Sequence, residues 1–193
     1  MKLLIASDIH GSATWCRRLM DAVSRETPDR IVLLGDVLYH GPRNDLPEGY
    51  APKEVAAMLN GVAESIVAVR GNCDAEVDQM VLAFPCMADY ATLVDGDTTL
   101  FCTHGHVWSP ERMPLLPSGA AFLSGHTHVK VNEDASMRVC DGVLVPARGE
   151  DVGVAGGDVR TIHLVNPGSV SIPKDGSHSF ALYENGEFEL VQW

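Results

Sequence analysis

The sequence predicts an α/β protein built from two packed, mixed β-sheets with helices outside. Three observations point there. The first half of the chain alternates apolar strand-like runs with helical stretches. The second half replaces the helices with hairpin turns. Five of the apolar runs also end alike, in a small residue followed by a side chain that binds metal.

The elements follow in order. Lys2-Leu3-Leu4-Ile5-Ala6-Ser7 is a strand that delivers Asp8 and His10. Ser12 is placed to cap a helix through Glu26, with Ala13, Cys16, Leu19, Met20 and Val23 on one face. Ile31-Val32-Leu33-Leu34-Gly35 delivers Asp36. Pro52 suits the first position of a second helix, expected through Ala63. Ile66-Val67-Ala68-Val69-Arg70-Gly71 delivers Asn72. These strands are nearly continuous in apolar residues, as expected when both faces are covered. Thr99-Leu100-Phe101-Cys102-Thr103 delivers His104, and Ala121-Phe122-Leu123-Ser124-Gly125 delivers His126 and His128. Asp95-Gly96, Asp141-Gly142 and Asn185-Gly186 are hairpin-type turns between strand-like runs. Residues 146–158, rich in glycine, read as a mobile loop that tunes access to a site. They are no phosphate-cradling loop, because no Gly-Lys-Ser/Thr follows. No repeat or composition shift divides the chain, so one domain over residues 1–193 is expected.

Bulk properties exclude several classes. No apolar run approaches the roughly 18–20 residues that cross a bilayer. The apolar N-terminal stretch ends at a candidate ligand, which makes it a core strand and not a signal peptide. Five cysteines form no Cys-x-x-Cys pair, and most look like small core residues of a protein in a reducing cytosol. A net charge of −12 argues against an extended nucleic-acid-binding face. It does not argue against phosphate chemistry, since two divalent ions would add about +4 at one point.

The strand ends collect Asp8, His10, Asp36, Asn72, His104, His126 and His128 where open α/β sheets place their ligands. Each has an ordinary alternative: Asp8 and Asp36 as caps, Asn72 as a turn residue, the histidines as strand residues. The repetition of the pattern favours ligation. These are hard oxygen and borderline nitrogen donors, suited to manganese, iron, zinc or a similar divalent ion. Seven ligands are too many for one ion and suit two that share a carboxylate. His163 and His178 lack such a context and read as structural or exposed.

The order Asp-x-His, Gly-Asp, Gly-Asn, a lone His-Gly and Gly-His-Thr-His resembles the calcineurin-like metallophosphoesterase superfamily. Ser7-Asp8-Ile9-His10-Gly11, the run from Leu34 to Asn44, Val69-Arg70-Gly71-Asn72-Cys73-Asp74 and Asn166-Pro167-Gly168-Ser169 look like its small bacterial YfcE-type phosphodiesterases. The resemblance implies a four-layer αββα sandwich and a metal-dependent, cytoplasmic phosphodiesterase. It implies two divalent ions, manganese first, with iron, zinc, nickel or cobalt as alternatives. Matching the motifs assigns Asp8, His10 and His128 to one ion and Asn72, His104 and His126 to the other, with Asp36 as the bridge. The His-x-His spacing in a strand-like segment would put both rings on one side. A hydroxide held between the ions would be the nucleophile. The expected partner is a phosphodiester substrate, with no extended nucleic acid, no membrane, and a homo-oligomer in keeping with small relatives. A phosphomonoesterase with the same site and a non-catalytic scaffold of the same fold are the alternatives. The complete ligand set favours catalysis.

One position departs from the superfamily. Where the metal-binding Asn is commonly followed by a catalytic His, this chain has Cys73. A free thiol has a pKa of about 8.5, and nearby cations would favour the thiolate, which cannot protonate a leaving group. His106 and His40 are the nearest replacement acids, and each reads equally as a structural group. Asn72 and His40 are candidate substrate contacts, and Arg43 is placed to reach a phosphate oxygen. Asp74 would orient a ligand histidine or cap the short helix after it.

Overall fold

The computed structural model describes residues 1–148 and 158–193. Most of the predicted access loop, residues 149–157, lies outside the described residues. Strands β1 (Lys2–Ala6), β2 (Arg30–Leu33) and β3 (Ile66–Ala68) run parallel, and β10 (Ser179–Glu184) and β11 (Glu187–Gln192) extend them antiparallel, in the order β11-β10-β1-β2-β3. A six-stranded sheet contains β4 (Tyr90–Asp95), β5 (Thr98–Thr103), β6 (Ala121–Leu123), β7 (Lys130–Cys140), β8 (Val143–Pro146) and β9 (Val159–Pro167), ordered β4-β5-β6-β9-β7-β8. Its β5, β6 and β9 are parallel and the other pairs antiparallel. Both sheets are mixed, as the sequence predicts.

Strand periodicity divides the core into layers. Successive side chains of a strand point to opposite faces. Leu3 and Ile5 of β1 therefore pack between the sheets, against Leu100, Cys102, Leu123 and Val165. Leu4 and Ala6 point the other way, into a layer with Cys16, Leu19, Val55 and Leu59. Those four come from α1 (Ala13–Glu26) and α2 (Pro52–Asn60). The outer face of the second sheet is closed by Met113, Leu116 and Ala120 over Phe101, Phe122 and Ile162. These three belong to the β5–β6 connection, which carries no helix, so this outer layer is thinner than the other.

Local chemistry explains most boundaries. The Ser12 side chain accepts the Trp15 amide, and α1 ends at Thr27 in a left-handed conformation. Helix α2 starts at Pro52 but stops three residues before the expected Ala63. There the Asn60 amide group turns to Val81 and Ala83, with two 2.8 Å hydrogen bonds, and a short 3₁₀ turn follows at Ala63–Ser65. Asp141-Gly142 and Asn185-Gly186 form two-residue hairpin loops with positive φ at both positions. Asp95 does not lie in its turn. It pairs with Thr98 as the last strand residue, and its carboxylate accepts the N-terminal amine at 3.3 Å and the Tyr183 hydroxyl at 3.0 Å. His178 stacks on Trp15, and His163 bonds Asp134 and Asn132, so both are structural as expected. No helix among the described residues is long and apolar enough to cross a membrane.

The sheets come into close contact where their parallel strands end. A Cβ on Gly125 would collide with Ser7 Oγ and sit 2.8 Å from Asp8 Oδ2. Overpacking of that kind costs roughly 1–3 kcal/mol. Gly125→Ala should therefore lower Tm by roughly 2–12 °C, measured by differential scanning calorimetry. An unchanged Tm would show that the two sheet ends can part.

Candidate metal centre

All seven predicted ligands follow the carboxyl ends of parallel strands. Asp8 and His10 follow β1, Asp36 follows β2, and Asn72 follows β3, while His104 follows β5, and His126 and His128 follow β6. Asp8, His10, Asp36, His126 and His128 have φ between 47° and 67°. Five of the eight non-glycine residues with positive φ among the described residues are thus candidate ligands. This region disfavours side-chain-bearing residues, at roughly 1–3 kcal/mol each, and such strain collects at functional sites. His126 and His128 converge through these turns and not through strand alternation, because β6 ends at Leu123.

Hydrogen bonds to backbone carbonyls fix three of the imidazoles. His10 Nδ1 meets Tyr39 O at 2.8 Å, His104 Nδ1 meets Leu34 O at 2.7 Å, and His128 Nδ1 meets Ile172 O at 2.6 Å. A carbonyl only accepts, so each Nδ1 carries the proton and each Nε2 presents a lone pair when the ring is neutral. The three Nε2 atoms all point at buried carboxylates. Asp8 Oδ1 lies 3.2 Å from His128 Nε2 and 3.5 Å from His10 Nε2. Asp36 Oδ2 lies 3.4 Å from His104 Nε2 and 3.8 Å from His10 Nε2. His10 Nε2 and His128 Nε2 face one another at 3.4 Å.

The other carboxylate oxygens are occupied. Asp8 Oδ2 accepts Ser7 Oγ at 2.6 Å and the His126 amide at 3.1 Å. Asp36 Oδ1 accepts the Cys73 amide at 2.7 Å. Asp8 Oδ1 is buried and, though within ion-pair distance of two imidazoles, has no hydrogen bond of good geometry. A buried, unpartnered anionic oxygen facing nitrogen lone pairs is the chemistry of a cation ligand set. The residues fit a divalent ion. Ligand atoms of Asp8, His10 and His128 lie within 4.8 Å of one another, as do those of Asp8, Asp36 and His104.

The second expected set is looser. Asn72 Oδ1 is 3.1 Å from His104 Nε2, because its amide nitrogen turns to Cys73 Sγ at 3.1 Å. The half-buried His126 ring sits edge-on to His104 with centroids 5.1 Å apart. Cys73 Sγ forms a third close group with His10 and Asp36, a grouping the sequence reading omits.

Electrostatics follow burial and these contacts. Burial alone would raise the Asp8 carboxyl, but the His10, His128 and His104 imidazoles hold it well below the usual range. Asp36 is lowered too, with His104 and the Cys73 amide outweighing burial and the Asp8 charge. Burial opposes charge on His104, yet Asp36 and Asp8 raise it to about 9, and Asp8 raises His10. Burial, then Asp36, pushes the Cys73 thiol up to about 12, so the protein's own groups keep it protonated. Bound cations would act in the opposite direction, towards the expected thiolate. His106 is lowered by burial and by His104, Arg70 and His126.

A cleft of about 900 Å³ opens over the cluster, lined among others by His10, Asp36, Asn72, Cys73, His126 and His128. Arg43 lines it, and so does Lys174, which the sequence reading misses. No motif marks Lys174. It enters through the loop whose Ile172 carbonyl binds His128, and its own amide donates to His128 O at 3.0 Å. His40 and His106 lie outside the lining. His40 packs edge-on against Tyr39 and Tyr50, and His106 packs against the His104 ring at 5.3 Å.

Asp74 neither orients a histidine nor caps a helix. Its carboxylate accepts the amides of Asp36, Val37 and Gly71 at 2.8, 2.8 and 2.7 Å, tying the ends of β2 and β3 together. The closing turn supports Asp8 in the same way, with Ser169 Oγ and Ser171 Oγ donating to its carbonyl. Asp74→Asn would set an amide group against three N–H donors. The loss should be roughly 2–4 kcal/mol, a fall in Tm of roughly 4–16 °C. Metal affinity should fall with it, although no ligand is changed. Calorimetry of Mn²⁺ binding checks this, and unchanged affinity would show that Asp74 does not position Asp36.

Known proteins share this sequence family and fold. A family profile described as the calcineurin-like phosphoesterase superfamily domain matches residues 1–187. Phosphodiesterase YfcE of Escherichia coli strain K12 is 43% identical over 192 residues, which cover 99% of this chain and 91% of that protein. A solved structure of this E. coli phosphoesterase superposes with a TM-score of 0.81 at 41% identity, covering 99% and 98% of the two chains. An archaeal phosphodiesterase shares the fold at 18% identity, with a TM-score of 0.61 and full coverage of both chains. Zinc-bound Vps29 of Entamoeba histolytica also shares it, at 14% identity and a TM-score of 0.54, over 100% of this chain and 98% of that one.

Proposed function

The chain belongs to the calcineurin-like phosphoesterase superfamily, and from that premise we propose that it is a metal-dependent phosphodiesterase acting on small or exposed phosphodiesters. One observation carries the reading: three imidazoles, each locked by a backbone carbonyl, aim bare Nε2 atoms at two buried carboxylates. Asp8, His10, Asp36 and His128 would hold one divalent ion, and Asp36, Asn72, His104 and His126 a second. When bound, the ions supply an activated water and neutralise charge on the phosphoryl group. Hard and borderline donors of this kind suit manganese. Five free cysteines are in keeping with a reducing cytosol.

The chain's own residues orient and exclude. The carbonyls of Tyr39, Leu34 and Ile172 set the ring planes, and Asp74 fixes the Asp36 backbone. Cys73 brings a thiol to the cleft, which burial and Asp36 push up and bound cations would pull down; neither a high-pKa thiol nor a thiolate gives strong acid help to a leaving group. His106 is shifted the other way and packs behind His104. Esters whose leaving groups depart without a proton should therefore be the better substrates. The diester preference is supported by the name of the E. coli relative, a phosphodiesterase.

Asp36→Asn should abolish binding of a second metal and lower turnover of bis(4-nitrophenyl) phosphate together. Elemental analysis and a Mn²⁺-supported assay, with and without chelator, read both. Two metals per chain with near-normal turnover would remove Asp36 as the bridge. Chelator-insensitive hydrolysis would remove the metal mechanism.

Acid help is typically worth about 10²–10⁴ in rate. Cys73→His should thus accelerate alkyl diesters more than nitrophenyl diesters, while Cys73→Ala should change the nitrophenyl reaction little. The test is the slope of log kcat/KM against leaving-group pKa for the three proteins. Coincident slopes would mean that position 73 supplies no acid.

A further inference from the structure

We propose that Arg43 and Lys174 form a subsite for a second anionic group, carried on an ester arm of the substrate and separate from the scissile phosphate. The inference rests on the phosphodiesterase reading and narrows its substrate class to phosphodiesters bearing a further phosphate or carboxylate. Most of the fourteen side-chain cations of this acidic chain are engaged. Lys2, Arg17, Arg25, Arg70, Lys130 and Arg160 pair with carboxylates. Arg18 and Arg112 lie over Trp15 and Trp108, and Arg30 bonds a backbone carbonyl. Among the described residues, Arg43, Lys53 and Lys174 have no side-chain partner. Two of these three line the same cleft.

The neighbouring acids are positioned so as to leave both charges open. Asp175, next to Lys174, turns to Lys130 and accepts its Nζ at 2.6 Å and its amide at 2.7 Å. Asp45, two residues from Arg43, makes no ion pair with it among the described residues. The two cations enter from different sides. Lys174 is anchored by its amide to the His128 carbonyl, and the Arg43 loop lies over Cys73, where a Cβ on Gly41 would sit 2.9 Å from Sγ. A scissile diester carries one negative charge, which the metal centre already answers. Cations exposed on the walls serve charge elsewhere on the molecule. The cleft has room for it, since about 900 Å³ is near the top of the roughly 300–1,000 Å³ range that holds drug-sized ligands.

Three substrates with one leaving group test this on the Mn²⁺-loaded chain: 4-nitrophenyl butyl phosphate, its 3-carboxypropyl analogue and its 3-phosphonopropyl analogue. The anionic arms should raise kcat/KM by about fivefold or more at low salt, chiefly through KM, and the gain should shrink as salt screens it. A larger gain for the phosphonate would identify a phosphate as the natural group, and a larger gain for the carboxylate the alternative. In the Arg43→Ala/Lys174→Ala double variant the ratio of charged to butyl substrate should fall to about one. Lys53→Ala should leave that ratio as it is. Equal rates for all arms in the native chain, or a preference that survives the double variant, would overturn the subsite while the phosphodiesterase reading stands. If no ester is hydrolysed, that reading fails, and calorimetry decides the subsite alone. Tighter binding of butyl 3-carboxypropyl phosphate than of dibutyl phosphate, lost in the double variant, supports it. Equal affinities overturn it.

Discussion

A backbone carbonyl can only accept a hydrogen bond, and the candidate centre depends on that asymmetry. Tyr39, Leu34 and Ile172 each present a carbonyl to the Nδ1 of a different histidine. The protonation pattern is thereby fixed by the main chain, and three Nε2 lone pairs face inward. Protons can fill this arrangement only in part. Burial opposes charge on these imidazoles, yet Asp36 and Asp8 raise His104 and His10 and so favour protons there. A cation relieves the same imbalance without changing a tautomer, and its binding must release those protons.

The cost of this geometry is left-handed backbone at five candidate ligands. The loops that hold them are bonded to one another and not merely to solvent. Asp8 N and His10 N donate to Gly35 O and Asp36 O, so the loop after β1 continues the pairing of the strands below it. Asp74 repeats this between the loops after β2 and β3, and Gly125 lets the second sheet approach Ser7. Each strained residue is therefore held from at least one neighbouring loop, which is the condition under which such strain persists.

What was legible in the sequence is what depends on residue type and period. The apolar runs gave the strands, and the residue after each run, with His10 and His128 two positions beyond the first and last of these, gave the seven candidate ligands, because strand ends deliver side chains to a shared edge. The outer layer over the second sheet was less legible. Met113 and Leu116 cover it from an irregular segment with no period to detect. Asp95 looked like a turn residue because Asp-Gly is a turn pair, but a long-range bond to the N-terminal amine holds it in the strand. The same limit hid Asp74 and Lys174. Their roles lie in contacts made 38 and 46 residues away, to Asp36 and His128, and no local pattern encodes those distances.

The spacing of the centre has its source in the sheet. Asp8, Asp36 and Asn72 follow β1, β2 and β3, three adjacent parallel strands. Neighbouring strands lie about 4.7–4.9 Å apart, so three oxygen-bearing side chains are issued at nearly that interval along one edge. The left-handed turns at Asp8 and Asp36 bend their carboxylates towards each other, enough for His10 Nε2 to reach both at 3.5 and 3.8 Å. The second sheet contributes the nitrogen ligands His104, His126 and His128 from above, with Leu34 O of the first sheet fixing the His104 ring. Asp36 follows the middle strand of the three, which would let the two proposed ligand sets share its carboxylate.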